Sequence, residues 1–492
     1  MVTAAEELSR AYLRRDPESG VLYEVLALHL ETFLARGGGD GVTPGLPRHV
    51  RRELRAYLRC GILAHGFARF HCFRCGTDGL VAFSCKGRGF CPSCGGRRMA
   101  ESAAHLVDHV FPEVPVRQWV LSFPWVVRYL LARRPALCRA VRRVFLRAVF
   151  GFYRRRLREE GVEDGRTGAV NRIQRFGSAL NLNVHFHALV LDGVYTAASP
   201  FAAPVFHEAS ELFDEDVERL VETIRDRVLR LLRKRGFLTD EGEVSVGEEE
   251  GTQGLLPLLQ AASIQGRVAQ GPDAGARLGR LGKLGECGAR FVRGPSCAEV
   301  DGFSLHAGVW VGAHDRERLE HLCRYVARPP FAAGRLKWSR RGRVLYELRK
   351  PWRDGTTHVV FEPLVLLERL AALVPPPRVH LQTYHGVLAP SASWRDEVVG
   401  EREETRCGAG ARRGKQRVAS SRPPHRYLWA ELMRRVFGLD VLRCEVCGAH
   451  RRLVSLIMER AVIVKILSHL GLETDPPPIQ PARAPPQGEF GF

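Results

Sequence analysis

Two Cys-x2-Cys pairs, Cys72/Cys75 and Cys91/Cys94, constrain this chain more than any other feature of its 492 residues. Fifteen residues separate the pairs, a spacing at which two knuckles close one tetrahedral thiolate site with each sulfur about 2.3 Å from the metal. Gly76, Pro92 and Gly95 suit the turns this requires. Four ligands leave no open position, so the spacing predicts a structural Zn²⁺ held by Cys72, Cys75, Cys91 and Cys94. Cys85, a fifth sulfur in the loop, and the adjacent His71 remain alternative ligands. Far along the chain, Cys444 and Cys447 form half of another site, with His425, His450 or Cys407 as conceivable partners. An odd count of 13 cysteines arranged in such pairs reads as metal thiolates in a reducing compartment, not as a disulfide framework.

Lys86, Arg88, Arg97 and Arg98 decorate the knuckle as candidate phosphate contacts. Over the whole chain 74 Lys and Arg face 54 Asp and Glu, a formal charge of +20, and only seven of the cations are lysine. Arginine's planar fork suits phosphate and stacks on bases, so charge points to nucleic acid ahead of a membrane surface. The most apolar stretch, Trp119 to Leu131, is broken by Pro124 and Arg128 and falls short of a bilayer span. The first thirty residues show no secretory-type apolar run. Together these predict a soluble, cytoplasmic, nucleoid-associated chain without a membrane partner.

From Leu180 to His187 apolar and polar residues alternate, the pattern of a half-buried strand. Leu180, Leu182, Val184 and Phe186 are expected to face a core, which leaves Asn181, Asn183, His185 and His187 on the other side. Two imidazoles at i and i+2 project together and can bind one divalent ion, but a catalytic site needs a third protein ligand. Gln174 qualifies if residues 176–179 form a bend between neighbouring strands. His306 is the rival, on the polar face of a strand over Phe303 to Val311. Asp315 to Arg328 reads as a helix capped by Asp315 and stopped by Pro329-Pro330, with Leu319, Leu322, Cys323 and Val326 inward. Tyr325 falls at the edge of that stripe with His321 and Arg328.

The expected fold class is α+β. Helices over 21–34 and 48–63 and the knuckle make a helical zinc-binding domain, residues 1–110. Residues 111–390 form a central antiparallel-sheet domain with helices on one face, including a long helix over Leu137 to Glu159 that shows Arg139, Arg142, Arg143 and Arg147 to solvent or phosphate. An insertion is expected over 199–300. A flexible linker follows at 391–426, then a small helical unit at 427–473 and a disordered Pro-rich tail at 474–492.

Several stretches together resemble the rolling-circle transposases of the insertion-sequence-ninety-one family and their common-region relatives. They are Cys72-x2-Cys75 with Ser84-Cys85-Lys86 and Phe90-Cys91-Pro92-Ser93-Cys94; Gln174-Arg175-Phe176-Gly177-Ser178-Ala179-Leu180-Asn181 with His185-Phe186-His187; and Arg324-Tyr325-Val326-Ala327-Arg328-Pro329-Pro330. Asp354-Gly355-Thr356-Thr357-His358 and Tyr384-His385-Gly386-Val387-Leu388-Ala389-Pro390 fit as well. The resemblance spans about residues 20–470. It implies a single-strand endonuclease of the HUH type, named for histidine-hydrophobe-histidine, in which the central domain is the nuclease.

Founding members carry two nucleophilic tyrosines four residues apart; here the position four before Tyr325 is His321, as in the one-tyrosine branch. The resemblance therefore implies that Tyr325 is the nucleophile and that Mg²⁺ or Mn²⁺ is held by His185, His187 and a third ligand, Gln174 or its rival His306. Arg324 and Arg328 would neutralise phosphates. The expected partners are single-stranded or hairpin DNA at element ends, and target DNA. The expected product is a 5′-phosphotyrosine intermediate that permits strand transfer. Two other classes fit the same residues: a zinc-dependent DNA-binding protein without catalysis, and a metal hydrolase that uses water.

Overall fold

In the computed structural model the described residues are 16–36, 45–199, 201–244, 254–282, 294–399, 427–438 and 440–483. Leu22, Val25, Leu26, Leu30 and Phe33 recur at helical spacing and bury one face of α1 (Val21–Arg36) against α2 (Arg48–Tyr57). The second helix stops at Tyr57, short of the expected residue 63. A hairpin of β1 (Phe67–His71) and β2 (Asp78–Ala82) follows, with Phe67 opposite Ala82. Then α3 (Pro92–His109) starts inside the second cysteine pair, where the fixed φ of Pro92 suits a first helical turn.

Next come β3 (Val116–Ser122), α4 (Trp125–Arg133), α5 (Pro135–Glu159), β4 (Gly168–Phe176) and β5 (Leu182–Leu191). After the small hairpin β6 (Gly193–Thr196) and β7 (Val205–Glu208) the chain forms α6 (Asp214–Lys234), α7 (Leu255–Gln265), β8 (Gly279–Gly282), β9 (Cys297–Val300) and β10 (Phe303–Val311). The remainder is α8 (Arg316–Ala327), β11 (Leu336–Trp338), β12 (Val344–Glu347), β13 (Thr356–Phe361), α9 (Pro363–Leu373), β14 (Gln382–Gly386), α10 (Arg395–Val399), α11 (Trp429–Phe437), β15 (Arg452–Ile457) and α12 (Arg460–His469).

The centre is a six-stranded sheet in the order β14-β4-β5-β3-β10-β9, antiparallel at every pairing. Strand alternation divides its side chains between two cores. Trp119, Leu121, Phe186, Ala188, Val190, Phe303 and Leu305 pack under α4, α5 and α6. Val116, Val170, Leu189, Leu191 and Val311 pack under α3 and α8. Helices therefore cover both faces, not one as expected, because β5 is apolar on each side beyond His187. A second sheet, β11-β12-β13-β8, shares the apolar cluster of α1, α2 and α9.

The strand expected from Leu180 begins at Leu182. Gly177 N donates to Asn181 O at 2.9 Å, and Leu180 sits in a left-handed conformation (φ 56°) within the bend. A Cβ on Gly177 would lie 2.4 Å from the Asn181 side-chain oxygen, so any other residue here would have to displace that side chain.

Residues 199–300, read above as an insertion, supply α6, whose Val217, Leu220, Val221, Ile224, Val228 and Leu232 belong to the principal core. Of the expected linker, Arg395–Val399 is a helix with Val398 buried; 400–426 lie outside the described residues, along with His425 and Cys407. The C-terminal unit is not purely helical, since β15 extends the first hairpin to the order β15-β1-β2. The expected disordered tail instead lies along α1 as far as residue 483, where Gln480 N donates to Ala27 O (2.9 Å) and Arg483 N to Thr32 Oγ1 (3.0 Å). Among the described residues no helix is long and apolar enough to cross a membrane.

Candidate active site

Register brings the predicted residues to one end of the α3/α8 face. Gln174 lies directly opposite His185 across the β4–β5 ladder, and Arg172 opposite His187. On the other side Val120 is opposite His187 and His306 opposite Val120. His306 is thus two strand spacings from His187, about 10 Å at the backbone. The surrounding cleft is lined by Gln118, Val120, Ser122, Asn183, His185, His187, His306, Val309, Leu322 and Tyr325, without a carboxylate.

Both imidazoles are oriented through Nδ1. His185 Nδ1 lies 2.8 Å from Asn183 O, a pure acceptor, which places the proton on Nδ1 and leaves Nε2 with a lone pair. His187 Nδ1 accepts from Gln118 Nε2 at 2.9 Å, which puts the proton of the neutral ring on Nε2, buried without a partner; turning the Gln118 amide over, so that its oxygen faces Nδ1, would move the proton there and free Nε2 to ligate. Burial pushes His185 down to about 4, against the opposing bond to Asn183 and aided by Arg128 and Arg328. Burial, then His185, Arg328 and Arg172, holds His187 well below the usual imidazole range. Neutral rings are the form that ligates a metal.

Gln174 Nε2 donates to Val326 O (2.8 Å) and Tyr325 O (3.4 Å), while its Oε1 is buried and unpartnered. Two orphaned polar atoms, His187 Nε2 and Gln174 Oε1, thus accompany an oriented His185, three neutral groups of the kinds that can ligate a divalent cation. The three ligands are neutral, so such an ion would keep its full charge toward a phosphate.

The tyrosine is positioned by its helix. Asp315 Oδ1 accepts from Arg318 N at 3.0 Å as the N-cap of α8, and Leu319, Leu322, Cys323 and Val326 are buried as expected. At the other end Gln174, together with Arg172 Nη2 to Ala327 O (3.4 Å), satisfies carbonyls that a helix terminus leaves free. Tyr325, 39% exposed, stands edge-on to His187 with ring centroids 6.1 Å apart. The Arg328 guanidinium lies 4.3 Å over its ring and that of Arg349 5.9 Å.

Other cations divide by role. Arg324, expected as a phosphate contact, pairs with Glu320, which also holds Arg435 at 2.7 Å. Arg98 braces the knuckle through Gly87 O (3.2 Å) and Lys86 O (3.4 Å), and Arg88 donates to Val379 O. Lys86 and Arg97 are exposed. A second cleft between knuckle and sheet joins Arg88, Arg98, Arg172, Arg175 and Arg328 beside Gln174, again without a carboxylate. Burial, then Arg98 and Arg88, lowers Arg172 to about 10. On α5, Arg142 is buried while Arg139, Arg143 and Arg147 are exposed.

The cysteines separate differently from their sequence spacing. Cys72, Cys75, Cys91 and Cys94 do not share one site. Cys91 and Cys94 join Cys60 and Cys85, and Cys72 and Cys75 join Cys444 and Cys447; within each group the ligand atoms all lie within 4.8 Å of one another. His71 belongs to neither gathered group; its Nδ1 lies 2.8 Å from Asp78 Oδ1. In the first group Cys60 lies 3.7 and 3.8 Å from Cys91 and Cys94, and Cys85 lies 3.5 Å from Cys94. Four sulfurs bound tetrahedrally to one zinc would be about 3.8 Å apart, so the group fits the ion. Hydrogen bonding to Cys60 pushes the Cys85 and Cys91 thiols up and pulls Cys94 down, so the four cannot all be thiolates without a cation.

This group also braces the tyrosine. Gly95, in the first turn of α3, packs on Pro329, where an added Cβ would lie 2.6 Å from Pro329 Cβ; at Gly96 it would meet nothing within 4 Å. Gly95→Ala is expected to cost about 1–3 kcal/mol through overpacking, whereas Gly96→Ala should stabilise by about 1 kcal/mol through helix propensity. Thermal unfolding of the two variants checks the opposite signs.

Sequence reasoning missed Gln118, Arg172, Arg349 and Cys60 as part of these sites, whereas Cys85, kept open as an alternative ligand, takes its place among the four sulfurs. Gln118 was signalled weakly, as a polar residue entering an apolar strand; Cys60 had no local partner to reveal it.

No curated protein and no solved structure matches the chain. Two family models do. Residues 26–123 match the transposase zinc-binding domain of the insertion-sequence-ninety-one (IS91) transposases, a range that holds Cys60, Cys85, Cys91 and Cys94. Residues 168–395 match a family described as "Putative transposase", a range that holds Gln174, His185, His187, His306 and Tyr325. With a zinc-binding domain of that type followed in order by the transposase domain, and with the cysteines of the former gathered as zinc requires, the chain belongs to the IS91-family transposases.

Proposed function

We propose that this transposase cuts and rejoins single-stranded DNA through Tyr325, with His185, His187 and Gln174 holding Mg²⁺ or Mn²⁺. The observation that carries the reading is Tyr325 standing edge-on to His187, beside two buried polar atoms without partners, His187 Nε2 and Gln174 Oε1. Gln174 is favoured over His306 because it is the direct cross-strand neighbour of His185. A divalent ion bound there would polarise a non-bridging oxygen of the scissile phosphate.

The chain's own residues do the rest. Tyr325 Oη attacks phosphorus, the bond to the 3′-oxygen breaks, and a 5′-phosphotyrosine forms. The phenolic proton passes to solvent, and the departing 3′-oxygen takes one up. Arg328 and Arg349 over the ring offset the negative charge that develops on the phenol and the phosphate. The phosphoester energy is retained, so a later 3′-hydroxyl can reverse the step without ATP.

Incubation with end-labelled single strands and Mn²⁺, followed by denaturing electrophoresis, tests the reading. A band shifted by covalently attached protein is expected, and His185→Ala should lose it along with metal dependence. Cleavage without attached protein would mean a water nucleophile; binding without cleavage would leave a DNA-binding protein only.

A further inference from the structure

Two Cys-x2-Cys pairs, Cys72/Cys75 within the matched zinc-binding range and Cys444/Cys447 far outside it, form a site of their own. Cys72 Sγ lies 3.4 Å from Cys447 Sγ, and Cys75 Sγ lies 3.5 Å from Cys444 Sγ, across 375 and 369 residues of sequence. Both loops have the same construction, Cys-x2-Cys-Gly. Gly76 N donates to Cys72 O at 2.8 Å and Gly448 N to Cys444 O at 2.9 Å, with φ of 77° and 69°, a left-handed turn that glycine adopts freely. Cys72 N and Cys444 N in turn donate to Thr77 O (2.9 Å) and Ala449 O (2.7 Å). Thr77 Oγ1 lies 2.9 Å from Cys75 Sγ and 3.2 Å from Cys444 Sγ, placed to donate to a thiolate.

Two matched knuckles facing each other, all four sulfurs within 4.8 Å, are a closed tetrahedral thiolate set, and soft sulfur ligands select zinc. We infer that Cys72, Cys75, Cys444 and Cys447 bind a second structural zinc that clasps the C-terminal unit to the N-terminal zinc-binding domain. The clasp sits at the end of the β1–β15 pairing, where His71 is opposite Arg452.

Beyond the β1–β15 ladder and the tail's two bonds to α1, the contacts of this unit are sparse. Ile463 and Leu467 pack on Leu63 and Phe67; Leu432 packs on Ala100 and Ala104; Arg435 pairs with Asp108 and Glu320. Leu453, Val454 and Leu456 of β15 are more than half exposed. So small an apolar area does not hold a separate segment in place without a cross-link.

The test uses the full chain. Metal analysis of the purified protein is expected to give two zinc ions per chain, and Co²⁺ substitution should give the absorption of two tetrathiolate sites. Cys444→Ser with Cys447→Ser should leave one. With a specific-protease site inserted after residue 410, the cut wild type should elute as one species and release its C-terminal fragment when a chelator is added. One zinc in the wild type, an unchanged content in the double variant, or a fragment that leaves before chelation would each overturn the clasp. The wild-type stoichiometry decides the matter even if the double variant does not fold.

Discussion

Tyr325→Phe is expected to abolish covalent DNA–protein adducts, a loss on the order of 10³-fold or more, while leaving DNA affinity and thermal stability close to wild type. The substitution removes only the hydroxyl. The ring keeps its edge contact with His187 and its place under Arg328, and the buried stripe of α8 is untouched. Single-turnover nicking with labelled strands, read beside a binding titration at fixed salt, separates chemistry from affinity. A persistent adduct would move the nucleophile elsewhere. Tyr384, on β14, is the next candidate, and its hydroxyl accepts from Gln382 Nε2 at 3.0 Å.

Cys91→Ser is expected to lower the zinc content by one ion per chain and to destabilise the fold by several kcal/mol. Structural zinc in small domains contributes about 10–16 kcal/mol of apparent binding energy, and a buried three-sulfur remnant keeps little of it. Cys91 is 3% exposed and opens α3, whose Ala103, Leu106 and Val107 lie over the same face of the central sheet as α8. The loss should therefore spread from the metal to the tyrosine helix. Cys60→Ser discriminates between cysteine groupings. It should match Cys91→Ser if Cys60, Cys85, Cys91 and Cys94 share one ion, and it would leave zinc untouched if Cys72, Cys75, Cys91 and Cys94 did. Metal analysis with thermal unfolding checks both variants.

Much of the local structure was legible. The helix from Asp315 and its inward stripe, the strand from Phe303 to Val311 and the long helix near Leu137 follow from periods of 3.6 and 2, which record only which side of an element is buried. The same logic failed at Leu180, where alternation continued through a left-handed bend that buries the leucine in a different core. It failed for α6 as well. A charged helix in a glycine-rich region reads as peripheral until its apolar stripe is found against α5 and the sheet.

The amino-acid order alone determined the chemistry that this protein carries: thiolate pairs in knuckle turns, two imidazoles on one face of a strand, a phenol at the margin of a capped helix, and an arginine-rich surface. Each is set by neighbours within a few residues, where backbone geometry leaves little choice. Tertiary structure decided the partnerships. Which sulfurs share an ion, and which amide stands opposite His185, depend on strand pairings that join distant segments; β15 adds beside β1 and carries Cys444 and Cys447 to Cys72 and Cys75. Spacing along a chain measures loop length, and loop closure costs grow so slowly with length that a partner several hundred residues away competes on nearly equal terms with one fifteen residues away.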